Sequence, residues 1–374
     1  MRLFHLLLFI GTMSCAACAQ QIESEVKATI PESLEYTTTL VVPDLNIPWG
    51  MTFLPDQSLL ITEKSGDLIH FKDGVKTKIN GLPQIYVRGQ GGFMDIKLHP
   101  DYATNGWIYM TYGSSEGEGS GGNTAVARAQ LNGGSLVNFE LLYKAGPNTT
   151  RGQHWGSRIE FDDEGYLYFT IGDRGDRDTN PQDITRDGGK VYRLHADGSI
   201  PDDNPFVGVA NAKSAIFSYG HRNPQGMCKN PFTGGIWLNE HGPQGGDEIN
   251  ISEKGKNFGW PVISYGINYD GTAFTDLTEK EGMEQPVFYW VPSIAPSGMT
   301  IVNSDHYPDW KGDVLVGSLK FQYLERLILE NNTVVKREKL FENIGRVRHV
   351  VQAPDGYLYV AVENQGIFKI VPKN

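Results

Sequence analysis

The chain has 374 residues, 39% hydrophobic and 21% charged, which is apolar enough for a packed core and excludes intrinsic disorder. Its 44 acidic residues outnumber 33 basic ones, a net charge of −11 with no basic run to offset it, so neither nucleic acid nor an anionic membrane is an expected partner. With 44 Gly and 17 each of Tyr and Phe, short strands joined by turns are expected rather than long helices.

At the amino terminus Arg2 is followed by a nearly unbroken apolar run, Leu3 to Ile10, and then by Ala17-Cys18-Ala19, small residues suited to cleavage before Gln20. Residues 1–19 therefore read as an export signal, too short for a permanent membrane span. Acylation of Cys15 or Cys18 as a lipoprotein is the alternative, so the expected location is the bacterial periplasm, with lipid anchoring in the second case. Cleavage after Ala19 would leave Cys228 as the sole cysteine and allow no intramolecular disulfide. Residues 20–39 read as a lead-in, and 40–374 as a single catalytic domain.

Beyond that point a short β-rich run follows a Pro/Asp/Gly turn six times: after Leu54-Pro55-Asp56, His99-Pro100-Asp101, Asp162 to Gly165, Asn230-Pro231, Tyr307-Pro308-Asp309 and Pro354-Asp355-Gly356. The shortest spacings suit one four-stranded blade, and the longer ones a blade with inserted loops. An all-β, six-bladed β-propeller is expected, with inserted loops forming a pocket at one mouth. A β-sandwich or two small β domains is the alternative.

Three constellations could carry chemistry. If Asp162 to Gly165 is a four-residue hairpin loop, Phe161 faces Tyr166, and the same register sets His154 opposite Asp173. A carboxylate that orients an imidazole is an arrangement for general-base work, or an ordinary cross-strand pair. Arg346 and Arg348 share a strand face, while Arg222-Asn223 and Lys320 sit at strand ends. Gathered at one mouth, these cations would imply an anionic ligand; scattered, they are surface charges. In EHGPQGGDEIN, Gly242-Pro243 turn the backbone tightly, and Asp247 and Glu248 supply oxygens of the kind calcium prefers. Arg174-Gly175-Asp176 as an adhesion tripeptide and Gly89-Gln90-Gly91-Gly92 as a phosphate cradle read as chance matches, the latter lacking the Lys-Ser/Thr ending of a P-loop.

Taken together, PWGMTFLPD, RGQGGFMDIKLHPDY, SYGHRNPQG, NEHGPQGGDEIN, NFGWP, SIAPSG, GSLK and RVRHVVQAPDG, in this order from about Pro48 to Ile370, resemble the soluble glucose and aldose sugar dehydrogenases that use pyrroloquinoline quinone (PQQ). The resemblance implies a six-bladed propeller, with His154 as general base and Asp173 as its supporting carboxylate. It implies quinone contacts at Gln90, Arg222, Asn223, Tyr269, Lys320, Arg346 and Arg348. It further implies Ca2+ on the main-chain oxygens of Gly242 and Pro243, and a second Ca2+ at the Glu248 carboxylate and Phe258 carbonyl. Gln153 and His241 depart from the glucose-type pattern and point to the aldose-type branch. The implied reaction oxidises the anomeric carbon of an aldose to a lactone, with electrons leaving to a cytochrome or quinone acceptor. A dehydrogenase for another substrate such as sorbosone, a non-catalytic saccharide- or protein-binding propeller, and a calcium-dependent lactonase are the rivals.

Overall fold

The computed structural model describes residues 36–373. Residues 1–19, read above as an export signal, lie outside them. Among the described residues, 24 strands form six antiparallel sheets of four. Blade one comprises Pro48–Phe53, Leu59–Glu63, Leu68–Lys72 and Val75–Lys78. Blade two begins at Phe93–Leu98, blade three at Ile159–Phe161, blade four at Pro224–Lys229, blade five at Pro296–Ile301 and blade six at Val347–Gln352. These six first strands neighbour one another in a closed ring around the axis. Blade six is completed by Tyr36–Pro43, which pairs antiparallel with Gly366–Pro372 and so closes the ring with a strand from the other end of the chain.

Patterning explains the layers. Second strands such as Leu59–Glu63, Leu167–Ile171 and Leu358–Val362 are buried along their whole length, because blades cover both of their faces. Outer strands carry charge instead: Val75–Lys78 reads VKTK and Thr333–Leu340 reads TVVKREKL, which blunts exposed sheet edges. Six hydrophobic clusters fill the six seams between neighbouring blades. Leu60 belongs to one such cluster with Ile108 and Met110 of the next blade, and Val316 to another with Trp237 of the blade before. Truncating such a side chain to alanine costs about 2–5 kcal/mol.

All six turn phrases fall in the same place, the link from a blade's first strand to its second, so they mark the rear end of the propeller. The expected hairpin register is off by one. Phe161 pairs with Leu167, not Tyr166, because the loop has five residues and the Asp162 carboxylate accepts N–H bonds from Glu164 and Tyr166. The blade spacing is stretched by the insertions 172–189 and 252–287. In the latter, residues 255–260 run parallel to the outer strand of blade three, Ile216–Tyr219, and climb beside it to the front.

Candidate active site

In every blade the start of the first strand and the end of the second lie together, as with Pro48 and Glu63 or Pro224 and Glu240. Residues just outside those positions therefore share the front mouth. Lys64 comes from blade one, Gln90 from the approach to blade two, and His154 and Asp173 from blade three. Arg222, Asn223, Gly242 and Pro243 come from blade four, Lys320 from blade five, and Arg346 and Arg348 from blade six.

His154 and Asp173 do meet, though not as ladder partners. In the shifted register it is the Arg174 N–H that donates to the His154 carbonyl, at 3.3 Å. His154 adopts φ 54°, and the Gln90 side-chain oxygen accepts its N–H at 2.8 Å. That twist brings Nδ1 within 2.6 Å of Asp173 Oδ1. Glycine is required opposite: a side chain at Gly172 would collide with the His154 carbonyl.

Asp173 is fully enclosed, accepting the Gly175 N–H at 2.7 Å and the Trp260 indole N–H at 2.9 Å. Burial alone would raise its carboxyl, but the bond and charge of His154, together with Arg222, hold it below the ordinary carboxylate value. It is therefore an acceptor, and His154 Nδ1 is the protonated nitrogen, which leaves the Nε2 lone pair free. Burial lowers the His154 pKa against the pull of Asp173, and Arg222 adds to the lowering, so the ring is neutral near pH 7. Its cleft, about 350 Å³, is also lined by Arg222, Pro243, Trp260 and Tyr269.

Of the four cations singled out in the sequence, Arg222 lines this cleft, and Lys320, Arg346 and Arg348 stand at the same front mouth on blades five and six. Arg222 donates from Nη1 to the His241 carbonyl at 3.0 Å, and its N–H is held by Glu240 Oε2 at 2.6 Å. Its buried Nε and the buried Asn223 Nδ2 have no partner among the described residues. Arg346 and Arg348 both engage Glu363, with Arg346 Nε 2.7 Å away, and Arg346 also donates to the Leu319 carbonyl beside Lys320. Lys320 is exposed and has no ion pair among the described residues. Arg222 and Arg348 add to the burial that pushes the His241 imidazole down to about 3, and it is held by the Pro296 carbonyl at 2.6 Å.

The third constellation splits in two. Asp247 offers no free oxygens: it clamps the loop by accepting the N–H groups of Gly242 and Ala295, both at 2.8 Å. Glu248 instead faces a cavity of about 10 Å³, the space of one water-sized sphere, which Gly242, Glu240 and Phe258 also line. Burial and the neighbouring Glu240 carboxylate push Glu248 upward, and the Asn250 amide bridges the two at 3.1 Å each. No cluster of three His, Cys, Asp or Glu side chains suited to a metal occurs among the described residues, so carbonyl oxygens would have to complete any ion site.

The profile of the glucose/sorbosone dehydrogenase family matches residues 45–369. The chain belongs to that family. Aldose sugar dehydrogenase YliI of Escherichia coli (strain K12) is 40% identical over 340 residues, 88% of this chain and 91% of that one. The apo-form soluble aldose sugar dehydrogenase of Escherichia coli superposes with a TM-score of 0.87 at 38% identity, covering 90% of this chain and 100% of the other. The PQQ-bound aldose sugar dehydrogenase of Streptomyces coelicolor gives 0.74 at 25% identity, covering 91% and 100%.

Several residues of this glucose/sorbosone dehydrogenase escaped the sequence reading. Arg174, set aside within a tripeptide, stacks 3.6 Å from the Trp155 ring and donates to the carbonyls of Arg151 and Gln153, holding the His154 loop. The Gly89 carbonyl likewise braces the site, accepting the Lys64 ammonium at 2.6 Å, and Gln90, named above as an implied quinone contact, accepts the His154 N–H. Arg348 adds to burial in lowering the Lys64 pKa, which makes Lys64 a further cation of this mouth. Trp260 and Glu363 complete the set, and their only signal was an aromatic or acid near a front-end strand terminus.

Proposed function

We propose that the chain is a PQQ-dependent aldose sugar dehydrogenase that oxidises the anomeric carbon to a lactone, with His154 as general base. The observation that carries this reading is the His154–Asp173 pair opening onto a cleft where Arg222 keeps an unpartnered guanidinium nitrogen. A concentration of cations in a chain of net charge −11 suits a planar tricarboxylate. The unpartnered donors of Arg222 and Asn223, with Gln90, Lys320, Arg346 and Arg348, would hold it, and Tyr269 would cover it from the rim. The carbonyls of Gly242 and Pro243 would take a calcium ion beside it. The cavity at Glu248 and the Phe258 carbonyl would take a second, relieving the repulsion between Glu248 and Glu240. When bound, PQQ supplies the acceptor for the hydride leaving the anomeric carbon, and Ca2+ polarises its carbonyl.

The protein's own share is proton handling and orientation. His154 Nε2 takes the proton of the anomeric hydroxyl as its carbon is oxidised. Asp173 fixes the tautomer and stabilises the imidazolium that forms, while Trp260 and Gly175 keep Asp173 ionised and aimed. The export segment supports a periplasmic location, where an electron carrier would reoxidise the quinol. Adding PQQ and Ca2+ to purified protein and following dye reduction with a panel of aldoses tests this reading. Failure to bind quinone replaces it with a binding propeller, preference for sorbosone changes the substrate, and lactone hydrolysis without an electron acceptor makes the protein a hydrolase.

A further inference from the structure

One guanidinium lies on the propeller axis beneath the mouth. Arg158, on the approach to blade three, is 1% exposed. Its Nε donates to the Gln225 carbonyl of blade four at 2.6 Å, and Nη2 to the Arg348 carbonyl of blade six at 2.9 Å. Nη1 reaches the Asp95 carboxylate of blade two at 3.2 Å and the Trp49 carbonyl of blade one at 3.4 Å, and the group stacks 4.0 Å from the Trp49 ring. One side chain thus ties its own blade to four others.

The surroundings are shaped around this contact. Asp95 is aimed by the Ile159 N–H, which donates to its other oxygen at 3.0 Å. A side chain at Gly50 would come within 2.7 Å of the Asp95 carboxylate, so glycine there keeps the approach open. Met51, Ile159 and His349, each the next residue after Gly50, Arg158 and Arg348, line a rear cavity of about 510 Å³. Arg158 therefore separates that cavity from the front mouth.

We infer that Arg158 is a positioning residue for the cofactor arginine Arg348, an inference that rests on the quinone reading above. Arg348 is gripped at both ends, by Glu363 at its guanidinium and by Arg158 at its carbonyl. The planar fork of Arg158 fixes directions as well as charge, so lysine, with a single mobile ammonium, cannot replace it. Slack at that carbonyl moves the Arg348 donors relative to a bound carboxylate, and displacements of this order weaken placement strongly.

The test is quinone titration in the presence of Ca2+, read by absorbance, with wild type, Arg158→Met, Arg158→Lys and Leu327→Ala. The last removes a buried side chain at the seam of blades four and five and controls for lost stability. Wild type that does not bind PQQ sinks the quinone reading itself. If wild type binds, the expected result is Kd raised roughly tenfold or more in Arg158→Met and Arg158→Lys, with Leu327→Ala unchanged. Wild-type affinity in Arg158→Lys overturns the inference. So does an equal loss in Leu327→Ala, or failure of both Arg158 variants to fold, since Arg158 would then serve the fold alone. Should only Arg158→Met fail to fold, Arg158→Lys decides.

Discussion

At the rear of the propeller, four blades close their first hairpin with one device. The side chains of Asp56, Asp162, Asn230 and Asp355 accept the backbone N–H two residues onward, at 2.9 to 3.1 Å. At the front the blades contribute an unlike set: an imidazole and a carboxylate from blade three, lysines from blades one and five, and arginines from blades four and six. His154 stands at positive φ, and five of the six first strands have an irregular register near the start. The rear charge is neutralised locally, as in the Lys97–Glu160 pair at 2.7 Å, whereas the side chains of Lys64, Lys320 and Arg222 at the front form no ion pair with a carboxylate among the described residues. Repetition is kept where a turn has only to close a hairpin. It is lost where the blades must supply unlike groups, an imidazole, ammoniums, guanidiniums and carbonyls, to one shared mouth.

The sharpest way to break this comparison is at His154. His154→Ala should lower kcat by roughly 10²–10⁴ in steady-state dye reduction while PQQ still titrates in. A variant with normal kcat would reduce the front to architecture. Asp173→Asn should cost roughly 10²–10⁴-fold through the wrong tautomer, with intact folding by circular dichroism. The pH profile comes next. Because the His154 pKa is lowered, kcat/KM should stay level on acidification through 6.5 and fall only below it.

The same direction sets stability. His154, His241 and His349 all have depressed folded-state values, so the unfolded chain binds more protons once pH falls below about 6.5. Their contribution is complete above that value and shrinks as pH drops, which urea melts at pH 7 and pH 5 would register. The smallest effect belongs to the rear. Asp162→Ala removes an acceptor from two backbone N–H groups and should cost about 1 kcal/mol in urea unfolding with kcat unchanged. A changed kcat would mean the two mouths are coupled.

The same division decided what could be read from sequence. The rear turn is local, so six copies of one phrase revealed the blades before any contact was known. His154 and Asp173 lie in the same hairpin, and they were paired correctly by a register that was one residue wrong, since the twist at His154 compensated for the longer loop. Arg158 and Trp260 act across blades, and Glu363 joins two arginines of its own blade. Nothing in GSRIE, NFGWP or AVENQ says that Arg158 will reach other blades, that Trp260 will travel up the edge of blade three to reach Asp173, or that Glu363 will be shared by two arginines. Charge count announced an excess of acid but not where the cations would gather.

The strand Tyr36–Pro43 zips onto Gly366–Pro372, so the first and last stretches of the ring complete one sheet. A nascent chain can stack its middle blades early, but the annulus cannot shut until Gly366–Pro372 has been made, and a contact of such high order closes slowly. Arg346 and Arg348 belong to that late-completed sheet. Trimming either terminal strand should therefore leave a split washer whose anion site has lost its last wall.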